Sequence, residues 1–403
     1  MARTGSSRLG ASRLDESKLD RTAAMKSRST QWTLFDRSNV GELASNAAVK
    51  ASPAAAYITA LVGEGPRTYV DNADLEMRAG VLDGIVLPLV LGSRSRGITD
   101  VGSPYSHYLR YTREEFGKRN RPVKVAMAAA LFAVLAVVLR LGRIDNVTYA
   151  NNWLWTTNPS PALDRAQLQG LTQQLANSLR DRAIVFRTVN PTLEPDFARD
   201  LAECGYQLVR SRRVYVLNVR RVDPLQRSNN QMDRQLIKRW GYEVVTDPKL
   251  LAPQAARLTE LYRGLYIDKH SRLNPQFNEN FIRLTLDTGI MQYQALKKGG
   301  RIDAFVSHFS DSRVLTGALI GYDRNLPAKL GLYRQAVALL LAEAMKQRKI
   351  LNVSAGADSF KMLRGFSPVE EYDAVYPRHL PPYRRWSWDL LRLVAGVWAH
   401  LRK

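Results

Sequence analysis

The strongest constraint on this chain is an order of elements that occurs twice. In the first half, apolar strand Val147–Ala150 leads into a Pro-containing polar loop, Asn151–Pro161, and then into the helical pattern Asp164–Arg180. Strand Ala183–Thr188 follows, then helix Asp196–Glu203 closing on Gly205-Tyr206, then strand Gln207–Val219. The second half runs through strand Val314–Tyr322, loop Asp323–Leu330 with Pro327, helix Leu332–Arg348 and strand Ile350–Ser354. It closes with a short helix, Ser359–Leu363, ending on Gly365-Phe366, and strand Tyr372–Tyr376. Matching pieces lie roughly 160–170 residues apart, several times a solenoid period, so the chain carries a duplicated domain and not a stacked array.

A length of 403 residues, 45% apolar and 24% charged, is enough for two ordinary cores. The division expected is a basic arm over 1–31, a first module over 32–222, a second over 231–385 and an amphipathic helix over 386–403. Asp223-Pro224 through Asn230 is polar and breaks periodicity, which suits a linker between the modules. Ahead of the first repeat, Tyr69 to Met77 and Val81 to Leu91 read as antiparallel strands, the second turning at Asp83-Gly84. Pro88 inside that run predicts an edge or a bulge.

The 59 Lys and Arg against 37 Asp and Glu leave a net charge of +22, which attracts a polyphosphate ligand, a nucleic acid or an anionic lipid surface. No aromatic-studded basic module stands out, so a dedicated nucleic-acid binder is not the reading. One cysteine, Cys204, leaves no intrachain disulfide framework, and five scattered histidines lack ligand spacing, so no metal site is expected. The first thirty residues hold no apolar core of a secretory signal, which predicts a cytoplasmic location.

Two segments bear on the membrane. Val125 to Leu139 is fifteen consecutive apolar residues, short of the ~20 that span a bilayer, and reads as a helix buried in the first module, ahead of interfacial insertion and, last, a true span. Trp386 to Lys403 places Leu390, Leu393, Val394, Val397, Trp398 and Leu401 at helical spacing between basic ends. That face either docks on the protein or lies on the inner membrane face as a peripheral contact.

Strand, loop, helix, strand, helix ending in Gly-aromatic, strand is the order of the N-acetyltransferase-like (GNAT) core, and Phe197 to Tyr206 resembles its usual fourth-helix ending. The run Ser354-Ala-Gly-Ala-Asp-Ser-Phe-Lys-Met-Leu-Arg-Gly365 resembles the Phe-Lys-x-x-(Phe/Arg)-Gly signature near the end of Fem-type transferases, which have two tandem GNAT modules, and of a related bacterial group with a Fem-like acyltransferase domain. The resemblance implies an α/β (α+β) fold of two tandem GNAT-like modules, each a mixed, mostly antiparallel sheet with flanking helices. It places Lys361 at the transfer site, where a cation stabilises the oxyanion formed as an amine attacks an ester or thioester carbonyl. It also implies that the loop before the main helix of the second copy holds a pyrophosphate. There Lys329, Gly331 and Arg334, with Arg364 from the signature, are the expected donor-binding residues, although the loop has one Gly where the family is Gly-rich.

Other candidates come from residue chemistry. His308, on the predicted strand 303–310, is a candidate general base, since imidazole titrates near neutrality, although a lone strand histidine is commonly structural. Asn152, Trp153 and Asn158 sit in a loop of amides, hydroxyls and two Trp side chains that either lines an acceptor cleft or makes a buried polar turn. Tyr266, Asp268 and Lys269, with His270, form a polar-aromatic cluster expected on a loop-rich surface and suited to acceptor binding. The function expected is transfer of an acyl or aminoacyl group from acyl-CoA or aminoacyl-tRNA to a small-molecule or peptide amine, with no resident cofactor. The alternative is an inactive double-GNAT scaffold that binds a nucleotide, tRNA or membrane-surface partner.

Overall fold

A computed structural model describes residues 32–45, 49, 52–92, 98–119 and 121–400; the basic arm over 1–31 lies outside them. The first half contains strand β1 (Trp32–Phe35), helix α1 (Pro53–Glu64), strands β2 (Glu76–Leu82) and β3 (Ile85–Leu91), and helices α2 (Thr112–Arg119) and α3 (Pro122–Leu141). Strand β4 (Val147–Ala150), helix α4 (Arg165–Ser178), β5 (Ala183–Val189), α5 (Pro195–Glu203) and β6 (Gln207–Asn218) complete it. The second half runs α6 (Ser228–Arg239), β7 (Glu243–Val245), α7 (Ala255–Tyr266), α8 (Glu279–Asp287), β8 (Gln292–Lys298), β9 (Arg301–Ser310) and β10 (Val314–Tyr322). It ends with α9 (Leu332–Gln347), β11 (Ile350–Asn352), α10 (Asp358–Met362), β12 (Ser367–Tyr376) and α11 (Pro382–His400).

Local chemistry accounts for these boundaries. Asp83 and Gly84 take positive φ, as a two-residue hairpin turn demands, and bring Leu82 opposite Ile85. The strand expected over 69–77 begins only at Glu76, because Pro66–Thr68 forms a short 3-10 turn and Val70 makes a lone bridge to Phe277. Pro88 is not on an edge strand: β3 lies between β2 and β4. Its ladder with β4 covers only Leu89–Leu91, so the missing N–H falls just beyond the paired residues on that side. Helix α4 starts on a capping box, with Asp164 accepting from the Gln167 amide and Gln167 accepting from the Asp164 amide. Helix α5 stops at Gly205, whose φ of +91° suits a residue without Cβ.

The twelve strands among the described residues join one sheet, ordered β1-β2-β3-β4-β5-β12-β6-β11-β10-β9-β8-β7. Strand β12, the last of the second copy, is inserted beside β5 of the first; β6, the last of the first copy, pairs with β11 of the second. The copies therefore exchange their final strands reciprocally, and the exchanged strands pair with each other over Gln207–Val216 and Ser367–Val375. Only β4–β5 and β10–β11 run parallel, at matching positions in the two halves; every other pair is antiparallel. This is the mixed, mostly antiparallel arrangement expected of tandem GNAT-like modules. The segment 223–230 expected to separate them folds as a 3-10 turn, Pro224–Gln226, followed by the first turn of α6.

Helix α3 corrects one expectation. It is a 20-residue helix, but only Phe132, Leu135 and Leu139 are buried, while Met127 is 77% and Val134 62% exposed. An all-apolar helix carries no polar stripe to show which side faces the protein, and here a single stripe of three residues does. Helix α11 packs through Trp388 and Leu391 and leaves Trp386, Leu393 and Val397 exposed. Phe132 of α3 and Trp398 of α11 meet with ring centroids 5.6 Å apart, which fixes the two helices side by side.

Candidate active site

Both halves contribute to a cavity of about 730 Å³, within the range of small-molecule sites. One wall is apolar: Leu131, Phe132 and Leu135 of α3, and Leu391, Val394 and Trp398 of α11. The other is polar and charged, with Arg210, Ser211, Arg212 and Arg213 of β6 and Lys361 of α10 beside the carboxylates Asp100, Glu115, Asp358 and Glu370. Two backbone irregularities build the polar side. Glu371 pairs with Arg212 and Tyr372 with Arg210, so Ser211 is an extra residue in β6, a β-bulge of the kind that re-aims side chains beside active sites. Residues Ser106–Tyr111 wind as a π-helix and place His107, Tyr108 and Tyr111 in the lining.

The cations are held in place. Arg212 donates to Glu371 at 2.7 Å, to the Thr156 carbonyl at 2.6 Å and to Thr157 Oγ1 at 2.7 Å. Arg210 and Arg213 share Glu370 across the strand pair. Lys361 is buried, and its Nζ donates to the carbonyls of Val353, Ser354 and Ala355 at 2.9, 3.0 and 2.8 Å. Burial, with the Arg212 charge added, pulls its ammonium down to about 7, partly offset by Asp358. A charged side chain can enter the interior when all three of its N–H groups find acceptors, and the strand end at 353–355 supplies them.

The other sequence candidates divide. Tyr266 and Lys269 line the same cavity as Lys361; Asp268 is exposed outside it. Tyr266 is the last residue of helix α7, so the cluster is not wholly a loop. Arg334 and Arg364 converge on Asp233 of α6, at 2.6 and 2.5 Å, and Arg364 also lies 3.5 Å over the Phe360 ring. With Lys329 exposed and Gly331 opening α9 at φ +63°, these four stand apart from the cavity lining. His308 is buried in β9 between β8 and β10, away from the lining, and burial lowers its pKa. Asn152, Trp153 and Asn158 make the buried polar turn. Asn152 donates to the Val101 carbonyl and accepts from Leu154 N–H, Asn158 Oδ1 accepts from Trp153 N–H, and Trp153 Nε1 donates to Asn151. Sequence reasoning missed Asp100, His107 and Ser211, all in the cavity lining; the run Arg210-Ser-Arg-Arg213 was the available signal.

The repeated order of elements thus builds one continuous sheet with reciprocally exchanged last strands and a cavity lined from both halves. No family profile matches the chain, and no curated protein sequence matches it. Among solved structures, the chain is similar to the C-terminal domain of a protein described as a lysylphosphatidylglycerol synthetase from Agrobacterium fabrum. Identity is 13%, coverage 89% of this chain and 97% of that one, and TM-score 0.47. FemX is similar at 9% identity, 60% and 83% coverage and TM-score 0.45. A tandem GNAT protein from the clavulanic acid biosynthesis pathway is similar at 13% identity, 86% and 98% coverage and TM-score 0.37.

Proposed function

We propose that the chain transfers an acyl or aminoacyl group to an amine acceptor inside the inter-module cavity. The observation that carries this reading is a cavity lined from both halves that joins Lys361 and three arginines of β6 to an apolar surface from α3 and α11. Lysine and arginine side chains in the lining favour the charge that develops on a carbonyl oxygen under attack, and the chain's net charge of +22 draws a polyphosphate donor, acyl-CoA or aminoacyl-tRNA. Since its three N–H groups are engaged, Lys361 acts through its charge and through the shape it gives residues 353–355. Tyr266 and Lys269, in the same lining, are assigned to acceptor binding. Lys329, Gly331, Arg334 and Arg364 keep a donor role only through the parts of Lys329 and Arg334 that remain in solvent.

The test is incubation of the intact protein with acyl-CoA and aminoacyl-tRNA panels and amine acceptors, with amide products read by mass spectrometry. Product formation that falls in Lys361→Met supports the reading; binding without turnover in every combination leaves the inactive scaffold in its place.

A peripheral membrane contact is the second part of the reading. It is supported by the exposed apolar residues of α3 and α11, which lie on neighbouring helices with Lys124, Arg140 and Arg392 exposed among them.

A further inference from the structure

We propose that Asp100, His107 and Ser211 form a nucleophile relay in the cavity wall, with Ser211 taking the acyl group as an ester before the amine receives it. The inference rests on the acyl-transfer reading for the nature of the donor, but the relay itself is read from geometry. Ser211 Oγ lies 2.9 Å from His107 Nε2. His107 Nδ1 lies 3.6 Å from Asp100 Oδ2, and both side chains are nearly buried, 13% and 12% exposed. With the serine hydroxyl donating to Nε2, the ring proton sits on Nδ1, facing the carboxylate; this is the order of donors and acceptors that a serine needs to lose its proton to a histidine. Nδ1 has no hydrogen bond that competes for that proton. The 3.6 Å separation closes by a small ring rotation, as catalytic contacts do when substrate fills an empty site.

The placement of each member argues against coincidence. Ser211 is the extra residue of the β-bulge, His107 is held in the π-helix, and Asp100 opens the preceding 3-10 turn with its amide bonded to the Leu273 carbonyl. Three irregular pieces of backbone converge on one cavity, which is where such departures concentrate when they position reacting groups. His107 is also held edge-on against Tyr108, ring centroids 4.8 Å apart, and Tyr108 donates to Asp373 at 3.0 Å. The ring is therefore oriented from two sides.

In the first step Ser211 Oγ attacks the donor carbonyl and its proton passes to His107 Nε2. The bond from the carbonyl carbon to the donor sulfur or oxygen breaks, and that leaving group takes the proton. In the second step the amine nitrogen attacks the Ser211 ester; its proton passes through His107 to Ser211 Oγ as the ester bond breaks, and the amide leaves. Arg210 and Arg212, the chain neighbours of Ser211, line the same cavity, and the charge their partners Glu370 and Glu371 leave uncompensated favours each tetrahedral species.

An alkyl fluorophosphonate tests the relay without knowledge of the substrate, since it reacts with a serine that has a working base and releases fluoride. The intact protein is expected to gain one phosphonyl group, located on Ser211 by peptide mass spectrometry and absent in Ser211→Ala. In His107→Gln the labelling rate is expected to fall about 10²–10⁴-fold, the worth of a positioned base. Asp100→Asn is expected to fall within the same range, and thermal melts establish that each variant is folded. A folded wild-type protein with no adduct on Ser211 overturns the proposal, and so does an adduct whose rate is indifferent to His107. If the adduct fails while an amide product still forms from donor and amine, the relay falls and the transferase reading stands. If Ser211 is labelled and no donor yields an amide, the relay stands and the transferase reading falls.

Discussion

Arg364 donates from Nε to Oδ2 of Asp233 at 2.5 Å, tying the end of the Phe-Lys signature to helix α6, 131 residues earlier in the chain. Asp233 also accepts from Arg334, and it is buried, so one carboxylate balances two guanidiniums. Removing it leaves buried positive charge uncompensated. Asp233→Ala is expected to destabilise by about 3–5 kcal/mol, the cost of breaking a buried pair from one side. Urea unfolding read by far-ultraviolet circular dichroism measures it; a loss below about 1 kcal/mol, the worth of an exposed pair, would show that the network is solvated.

Lys361 is expected to couple rate and stability. Lys361→Ala orphans three carbonyls, each costing about 1–3 kcal/mol if it stays buried and unpaired, so its melting temperature falls together with its turnover. Lys361→Met fills most of the same volume and separates charge from packing: it is expected to recover part of the stability and none of the rate. Lys361→Arg is expected to recover little of either, because a planar fork cannot meet three carbonyls arranged around a compact ammonium. Full turnover in the Met variant, measured with the donor and amine that the wild type uses, counts against a catalytic role for the charge.

The sequence shows the repeat clearly because it rests on local signals. Strands Val147–Ala150 and Val314–Tyr322 coincide with β4 and β10, and the Asp83-Gly84 turn lies where the pair was expected. The exchange of β6 and β12 was not legible. It depends on which strand lies beside Arg210, and pairing between residues some 160 apart in the chain leaves no periodic trace at either one. The position of Lys361 in its motif was legible, while its burial depends on carbonyls of residues 353–355 turning inward. His107 was invisible for a similar reason: its neighbour Ser211 is 104 residues away, and both sit on irregular backbone that no propensity encodes.

The pH dependence of stability follows from Lys361. Its folded pKa is lowered from 10.5 to about 7, chiefly by burial. Between those values the unfolded chain holds the proton and the folded one does not, so this group makes stability rise with pH across the window from about 7 to 10.5. Below about 7 both states are protonated, and the full penalty of the buried charge applies. The difference in stability between Lys361→Met and wild type is therefore expected to shift in favour of wild type as pH is raised from 7 to 10. Urea titrations of both proteins at several pH values measure it, and a difference that stays flat over that range would show an unshifted lysine.

The exposed faces of α3 and α11 make the last prediction. Val123, Met127, Val134, Val137 and Leu141 of α3 are each more than half exposed, as are Trp386, Leu393 and Val397 of α11. So much apolar surface on two adjacent helices exceeds what isolated surface residues on a soluble domain explain. The charged residues within α3, Lys124 and Arg140, stand near its ends and are exposed, so the helix can sink its middle into the acyl boundary while both cations stay among headgroups. Anionic lipid adds an attraction that a zwitterionic surface lacks, given a net charge of +22. The full chain is expected to float with vesicles containing phosphatidylglycerol and to float less with phosphatidylcholine alone or at high salt. Met127→Glu combined with Val134→Glu places two charges in the exposed middle of α3, touching none of its three buried residues, so flotation is expected to fall while the melting temperature stays within about 2 °C of wild type, as for surface changes. Self-association is the competing use of such a face. Sedimentation of the unliganded protein separates the two: a stable dimer that the Glu substitutions dissolve, with no flotation of the wild type, assigns α3 to a protein partner, and flotation of a monomer assigns it to the membrane.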